Sequence, residues 1–140
     1  MKTHTFLYLA ILTLISFNCS SDNDNASAPT VAELLTADAW YLESASLTII
    51  DDCTKNSSFQ FLNNGNVLSE GFGLNDEDEC ISLGVVSGTY EIISDTQMST
   101  TFNEETNSSL VIVEISQSQL ILRDESGSES NTLIFDKIQG

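Results

Sequence analysis

From Trp40 onward the chain alternates apolar and polar residues in short runs, the period-two pattern of half-buried strands. The run 40–50 (WYLESASLTII) sets Trp40 and Leu42 on one face and Tyr41, Ala45, Leu47 and Ile49 on the other. The run 57–62 brings Phe59 and Phe61 together on one side. Asn63-Asn64-Gly65-Asn66 is the strongest turn, because Asn-Gly accepts the positive φ of a tight hairpin. The run 67–74 returns, with Gly71 and Gly73 placed to allow a bend or bulge. A charged loop, 75–79 (NDEDE), follows.

Two short strands are predicted next, over 80–86 and 87–93. Then come 98–102, with Met98, Thr100 and Phe102 on one face, 109–115, 119–123 and, after a turn at 125–128, 131–138. Ahead of all of these, 31–35 (VAELL) reads as a short helix. Thr30 is placed to cap it and Glu33 to complete a capping box, with Leu34 and Leu35 on the side facing the domain. So short a helix has to dock on the rest of the chain. Eight or nine strands with no long crossover helix predict an antiparallel all-β domain, either a sandwich or an up-and-down barrel. Closure into a barrel removes edges that invite aggregation.

The N-terminus has a different pattern. Lys2 precedes an apolar run over 6–17, the layout of a secretory signal. A stable membrane span needs roughly 20 such residues, so the run is too short for one. It ends at Asn18-Cys19-Ser20-Ser21, where the chain resembles a bacterial lipoprotein with a lipobox. That resemblance implies cleavage before Cys19 and acylation of Cys19, which would anchor the protein to the lipid bilayer. Ser16 and Asn18 depart from the usual Leu and Gly or Ala of the box. The competing reading is an ordinary secretory signal cut nearby. One acyl chain anchors only marginally whereas several hold firmly.

Residues 1–18 are thus expected to be a signal, 19–30 a lipidated cysteine with a flexible acidic tether, and 31–140 one domain with a modest core. The acidic stretch after Cys19 resembles the surface-export signal of Bacteroidetes lipoproteins. This implies a cell-envelope protein of the outer membrane, displayed on its outer face. An ordinary solvated linker has the same composition.

Charge narrows the list of partners. The chain carries four Lys and Arg against 21 Asp and Glu. Loss of the leader takes Lys2 and leaves a formal charge of −18. Such a surface repels phosphate backbones and anionic lipid heads, so nucleic acid is not expected as a partner. The sole histidine, His4, lies in the leader. Without it, His-based acid–base catalysis, Ser-His-Asp triads and His-ligated metals are excluded from the mature chain. With Cys19 set aside, Cys53 and Cys80 remain, 27 positions apart. Two thiols in an exported domain most simply pair, since a metal site would want more thiols or a histidine.

The order of these features is similar to the lipocalin-like domain of Bacteroidetes lipoproteins. The residues that carry the likeness are Leu34-Leu35-Thr36, Trp40-Tyr41-Leu42, Asp51-Asp52-Cys53-Thr54-Lys55, Phe59-Gln60-Phe61, Asn64-Gly65, Cys80 and Gly88-Thr89-Tyr90-Glu91-Ile92. The resemblance implies a small antiparallel up-and-down (lipocalin-like) barrel of about eight strands, a short N-terminal helix, a Cys53–Cys80 bridge and no catalytic residues. Asp38 stands where classical lipocalins place a glycine, and 75–86 is longer and more acidic than the pattern leads one to expect.

A barrel of this size either fills with side chains or holds one small ligand. Its expected interior draws on Trp40, Leu42, Phe59, Phe61, Tyr90, Ile92, Met98, Phe102, Val111, Val113, Leu120, Leu122, Leu133 and Phe135. Trp40 is expected to plug the bottom. Phe59, Phe61, Tyr90, Met98 and Phe102 are the candidate contacts for a small apolar ligand. The competing reading is a packed core and an envelope protein as partner, bound on the barrel exterior. Asp76 and Asp78 are weak candidates for Ca²⁺, but their spacing fits no EF-hand and a solvated loop accounts for them. Asp51 and Asp52 read as turn residues, and Glu114 as solvent-facing. No cofactor is expected.

Overall fold

The computed structural model describes residues 27–103 and 106–140. Helix α1 (Val31–Thr36) precedes eight strands: β1 (Trp40–Ala45), β2 (Ser58–Phe61), β3 (Asn66–Leu74), β4 (Cys80–Ser94), β5 (Gln97–Phe102), β6 (Thr106–Ile115), β7 (Gln119–Asp124) and β8 (Asn131–Asp136). Each strand pairs antiparallel with the next, and β8 returns to β1, so the sheet closes into a barrel. The fold is the expected all-β, up-and-down barrel with one short helix. A 3-10 turn, Thr54–Asn56, interrupts the long β1–β2 connection.

The lower end, where β1 starts, is closed. Thr30 caps α1: its hydroxyl accepts from the Glu33 N–H at 3.2 Å, and the Glu33 carboxylate accepts from the Thr30 N–H at 2.7 Å. This satisfies groups that a helix start leaves orphaned. The capped turn delivers Leu35, fully buried, against Trp40. Above them Phe61, Val67, Met98, Leu120, Leu122 and Phe135 fill the lower interior. Among the described residues no buried side-chain polar atom lacks a partner.

The β2–β3 hairpin turns where predicted, with Gly65 at φ +83°. Cys53 and Cys80 are disulfide-bonded, tying the β1–β2 connection to the start of β4.

Three expectations need correction. The runs 80–86 and 87–93 are a single 15-residue strand, β4. A bulge opposite Gly71 and Phe72, with Gly84 at φ +101°, absorbs an extra residue, so the ladder continues unbroken from Leu74↔Cys80 to Asn66↔Thr89. Gly88, just past the predicted break between 86 and 87, lies within the strand and packs beneath the Phe102 ring. The first strand stops at Ala45 instead of reaching Ile50, and Leu47 and Ile49 are 54% and 97% exposed. There the Asn131 side-chain oxygen accepts from the Leu47 N–H at 3.3 Å and from the Ser46 hydroxyl at 3.2 Å, replacing the ladder.

Third, Val111 and Val113 are not interior residues. Leu110 and Ile112 are buried and Val113 is 50% exposed. Pairing of Ile112 with Leu122 puts those two on the core face. A bulge before Glu114 then leaves both Val113 and Glu114 exposed.

Candidate ligand pocket

Above the packed floor the barrel interior opens into a cavity of about 170 Å³. Leu42 from β1, Phe59 from β2, and Leu133 and Phe135 from β8 form its apolar wall, and Ser57, Ser58, Ser69, Glu70 and Gly71 complete it. Strand alternation explains the set. Leu42 pairs with Phe135 across β1–β8 and Phe59 with Ser69 across β2–β3, so all four side chains face inward. Ser69 and Gly71 are small where β3 leaves the packed floor, and this leaves the space unfilled. The outer wall carries two further depressions. One, about 300 Å³, lies among Asn66, Ser87, Thr89, Thr101 and Asn103. The other, about 230 Å³, lies among Tyr41, Gln60, Leu68, Glu70 and Val85. Both sit on the solvent face of their strands and lack the enclosing apolar wall of a small-molecule site.

Of the five candidate contacts, Phe59 lines the cavity. Its ring lies 5.6 Å from Phe135, 6.0 Å from Phe61 and 6.2 Å from Phe102, centroid to centroid. Phe61 is 2% exposed and Met98 fully buried, so both belong to the packed floor. Tyr90 meets Phe61 edge-on at 5.1 Å, and its hydroxyl donates to the Leu62 carbonyl at 2.9 Å. Burial pushes the Tyr90 phenol above its ordinary range. Phe59, Phe61, Tyr90 and Phe102 therefore form one aromatic cluster leading away from the cavity rather than a ring around it, and Met98 lies buried in the core. Sequence reasoning had Leu42, Leu133 and Phe135 in the interior pool but gave no sign of Ser57, Ser69 or Gly71, which look like any strand residues.

The acidic loop is a self-contained turn. The Asn75 side-chain oxygen accepts from the Glu77 and Glu79 N–H groups at 2.9 and 2.8 Å, and Asp78 takes φ +58°. Among the described residues no group of three or more potential ligands could hold a metal ion. Asp51 accepts from the Thr54 N–H at 2.7 Å, which holds its carboxyl below the ordinary range and gives it the turn-stabilising part expected. Cys19, the leader and the first part of the tether lie outside the described residues. Among the described residues no helix is long and apolar enough to cross a membrane.

Comparison with solved structures returns bovine odorant binding protein several times. Its complex with a selenium-containing odorant superposes with a TM-score of 0.44 at 16% identity, covering 81% of this chain and 76% of that one. The complex with its natural ligand gives 0.44 and 16%, covering 81% and 77%. A deswapped triple mutant gives 0.39 and 15%, covering 76% and 75%. No curated protein matches. The barrel assignment rests on the hydrogen-bonded closure of β8 onto β1 and on the family match. The model of the lipocalin-like domain matches residues 35–122, from the buried leucine of α1 into β7 and well over half the chain, so this protein belongs to the lipocalin-like domain family.

Proposed function

We propose that the protein is a non-enzymatic binding module whose upper cavity takes a small apolar molecule. The carrying observation is the inward-facing apolar wall of Leu42, Phe59, Leu133 and Phe135 around about 170 Å³ of space. A cavity of roughly 150 Å³ accommodates benzene, so this one suits about six carbon atoms. Burying six carbons at about 0.8 kcal/mol each gives about 5 kcal/mol, a dissociation constant of about 0.1–1 mM. Calorimetric titration with hexan-1-ol tests the reading. Saturable binding that Leu133→Trp abolishes is expected, and absence of saturable binding to the parent protein sinks it.

The module is held at the cell envelope through lipidated Cys19, on the tether that ends at residue 30. The short apolar leader ending at Cys19 and the acidic residues beyond it support this reading. A Cys19→Ala chain expressed in a bacterial host should leave the membrane fraction, and firm retention there would refute the anchor. The packed lower half favours a second reading, an accessory protein that binds an envelope partner through its exterior. Native mass spectrometry of the exported protein separates the two, since only a carrier retains a small molecule.

A further inference from the structure

We infer that the ligand is elongated, an alkyl chain whose end enters the cavity and whose remainder lies along the inner face of the β3–β4 hairpin, with a head group that is not anionic. The inference rests on the pocket reading above and specifies its ligand.

The hairpin rises beyond the rest of the barrel. Pairing of β4 with β5 begins only at Gly88↔Phe102, whereas β3 and β4 stay paired up to Leu74↔Cys80. Gly71 lines the cavity, and the three residues from there to Leu74 add about 10 Å of wall at about 3.3 Å per residue.

That wall is apolar on the cavity side. Val67 points into the core, so Ser69, Gly71 and Gly73 share its face. Their partners Val86, Gly84 and Ile81 face the same way. Leu83, the extra residue of the bulge, lies over the glycines: a β-carbon on Gly71 or Gly73 would meet its side chain at 3.9 or 3.4 Å. Leu83 is nevertheless 68% exposed, Val86 43% and Ile81 41%. An uncharged apolar strip therefore continues from the cavity rim up the hairpin. Gly71 is common to both, and the Cys53–Cys80 bond fixes the strip's upper end. A six-carbon molecule fills the cavity and meets the strip only at Gly71, and a longer chain covers both.

The surrounding charge selects the head group. Asp76, Glu77, Asp78 and Glu79 form the hairpin turn, and Asp51 and Asp52 adjoin Cys53. Lys55 is engaged by Glu43 at 2.9 Å and Arg123 by Glu125 at 2.9 Å. A carboxylate emerging here meets like charge, while a hydroxyl or an ammonium does not.

Titration with alkan-1-ols from hexanol to dodecanol, followed by calorimetry and by backbone amide shifts, tests this. Affinity should keep rising past hexanol by about twofold per added carbon, half the logarithmic gain of a fully buried methylene. The Gly73 and Leu83 amides should shift with dodecanol and not with hexanol. Leu83→Ser should level the series beyond six carbons, and Val85→Ser, on the opposite face, should leave it as in the parent. Dodecanoate should bind more weakly than dodecanol, the gap narrowing with salt. A parent series that levels at hexanol, a Leu83→Ser series as steep as the parent's, or tighter binding of dodecanoate overturns the inference while leaving the pocket in place. Failure of hexanol itself to bind removes both.

Discussion

The indole N–H of Trp40 donates to the main-chain carbonyl of Leu35 at 2.9 Å. This bond joins the end of α1 to the first residue of β1 and satisfies the one polar atom of a fully buried ring. On the far side, the Lys137 ammonium stands 3.3 Å from the ring centroid and also donates to the Asp38 carbonyl at 3.1 Å. Burial holds the Lys137 pKa below its ordinary value, against the opposing pull of Asp38. Helix, strand and C-terminal tail thus meet on one residue. Trp40→Ala should cost about 3–5 kcal/mol in a urea titration, the usual loss for a buried tryptophan.

The orientation of β6 can be checked by a matched pair. Ile112→Asp buries an unpaired carboxylate and should cost more than about 3 kcal/mol or prevent folding. Val113→Asp, one position on, faces solvent and should change stability by no more than about 0.5 kcal/mol. A larger loss for Val113→Asp than for Ile112→Asp in thermal melts would place the strand the other way round.

Gly88 has no room for a side chain. A β-carbon there would stand 2.5 Å from the Thr101 carbonyl oxygen and 2.6 Å from the Phe102 ring. The carbonyl belongs to the β5 backbone and cannot rotate aside. Gly88→Ala should therefore destabilise by about 1–3 kcal/mol, despite alanine's better intrinsic propensity. A melting temperature equal to the parent's would show that β4 and β5 are further apart than described.

The disulfide closes a loop across 27 sequence positions. In the chain-entropy account its loss costs about 3–4 kcal/mol. A Cys53→Ala, Cys80→Ala double variant should unfold at correspondingly lower denaturant, and the parent in reductant should match it. Mass analysis of the native protein should find no free thiol at either position.

Acid should weaken the capping of α1. The Thr30 N–H and hydroxyl both donate to the Glu33 carboxylate and hold its pKa below the ordinary value. A depressed folded-state pKa contributes stability above the unfolded value, and this is lost as pH falls through the folded one. Glu33→Gln removes that dependence. Denaturation from about pH 6 to about pH 3 should show parent and variant converging as the solution becomes acid. A constant gap would mean that the carboxylate charge contributes nothing.

Most of the barrel was legible because its signals are local. The capping box at Thr30 and Glu33, the Asn64-Gly65 turn and the Phe59/Phe61 alternation each follow from a few adjacent residues. The pairing of Cys53 with Cys80 followed from composition, since they are the only thiols left beyond Cys19. Residues 110–113 (LVIV) were misread because both faces are apolar, so no polar residue marks the outside. Leu110 and Ile112 are inward because of pairing with β7, which is a long-range fact. The division of β4 between Val86 and Ser87, beside Gly88, failed for a related reason. Gly88 serves a neighbouring ring, and sequence alone cannot tell a glycine that packs inside a strand from one that interrupts it. The pocket was legible only in its apolar wall, since its open space arises where Ser69 and Gly71 are too small to fill it.

The seam of the barrel has a consequence for synthesis. β1 matches β2 at only two register positions, Trp40↔Phe59 and Tyr41↔Ser58, but matches β8 at four, ending at Ala45↔Leu133. The first strand to be made thus depends on the last. Such distant pairing is slow, because the intervening chain must be ordered first. A nascent polypeptide lacking its final ten residues would have no partner for most of β1, so maturation has to wait for the whole chain. That dependence makes the C-terminal segment the place where a small deletion would do the most harm.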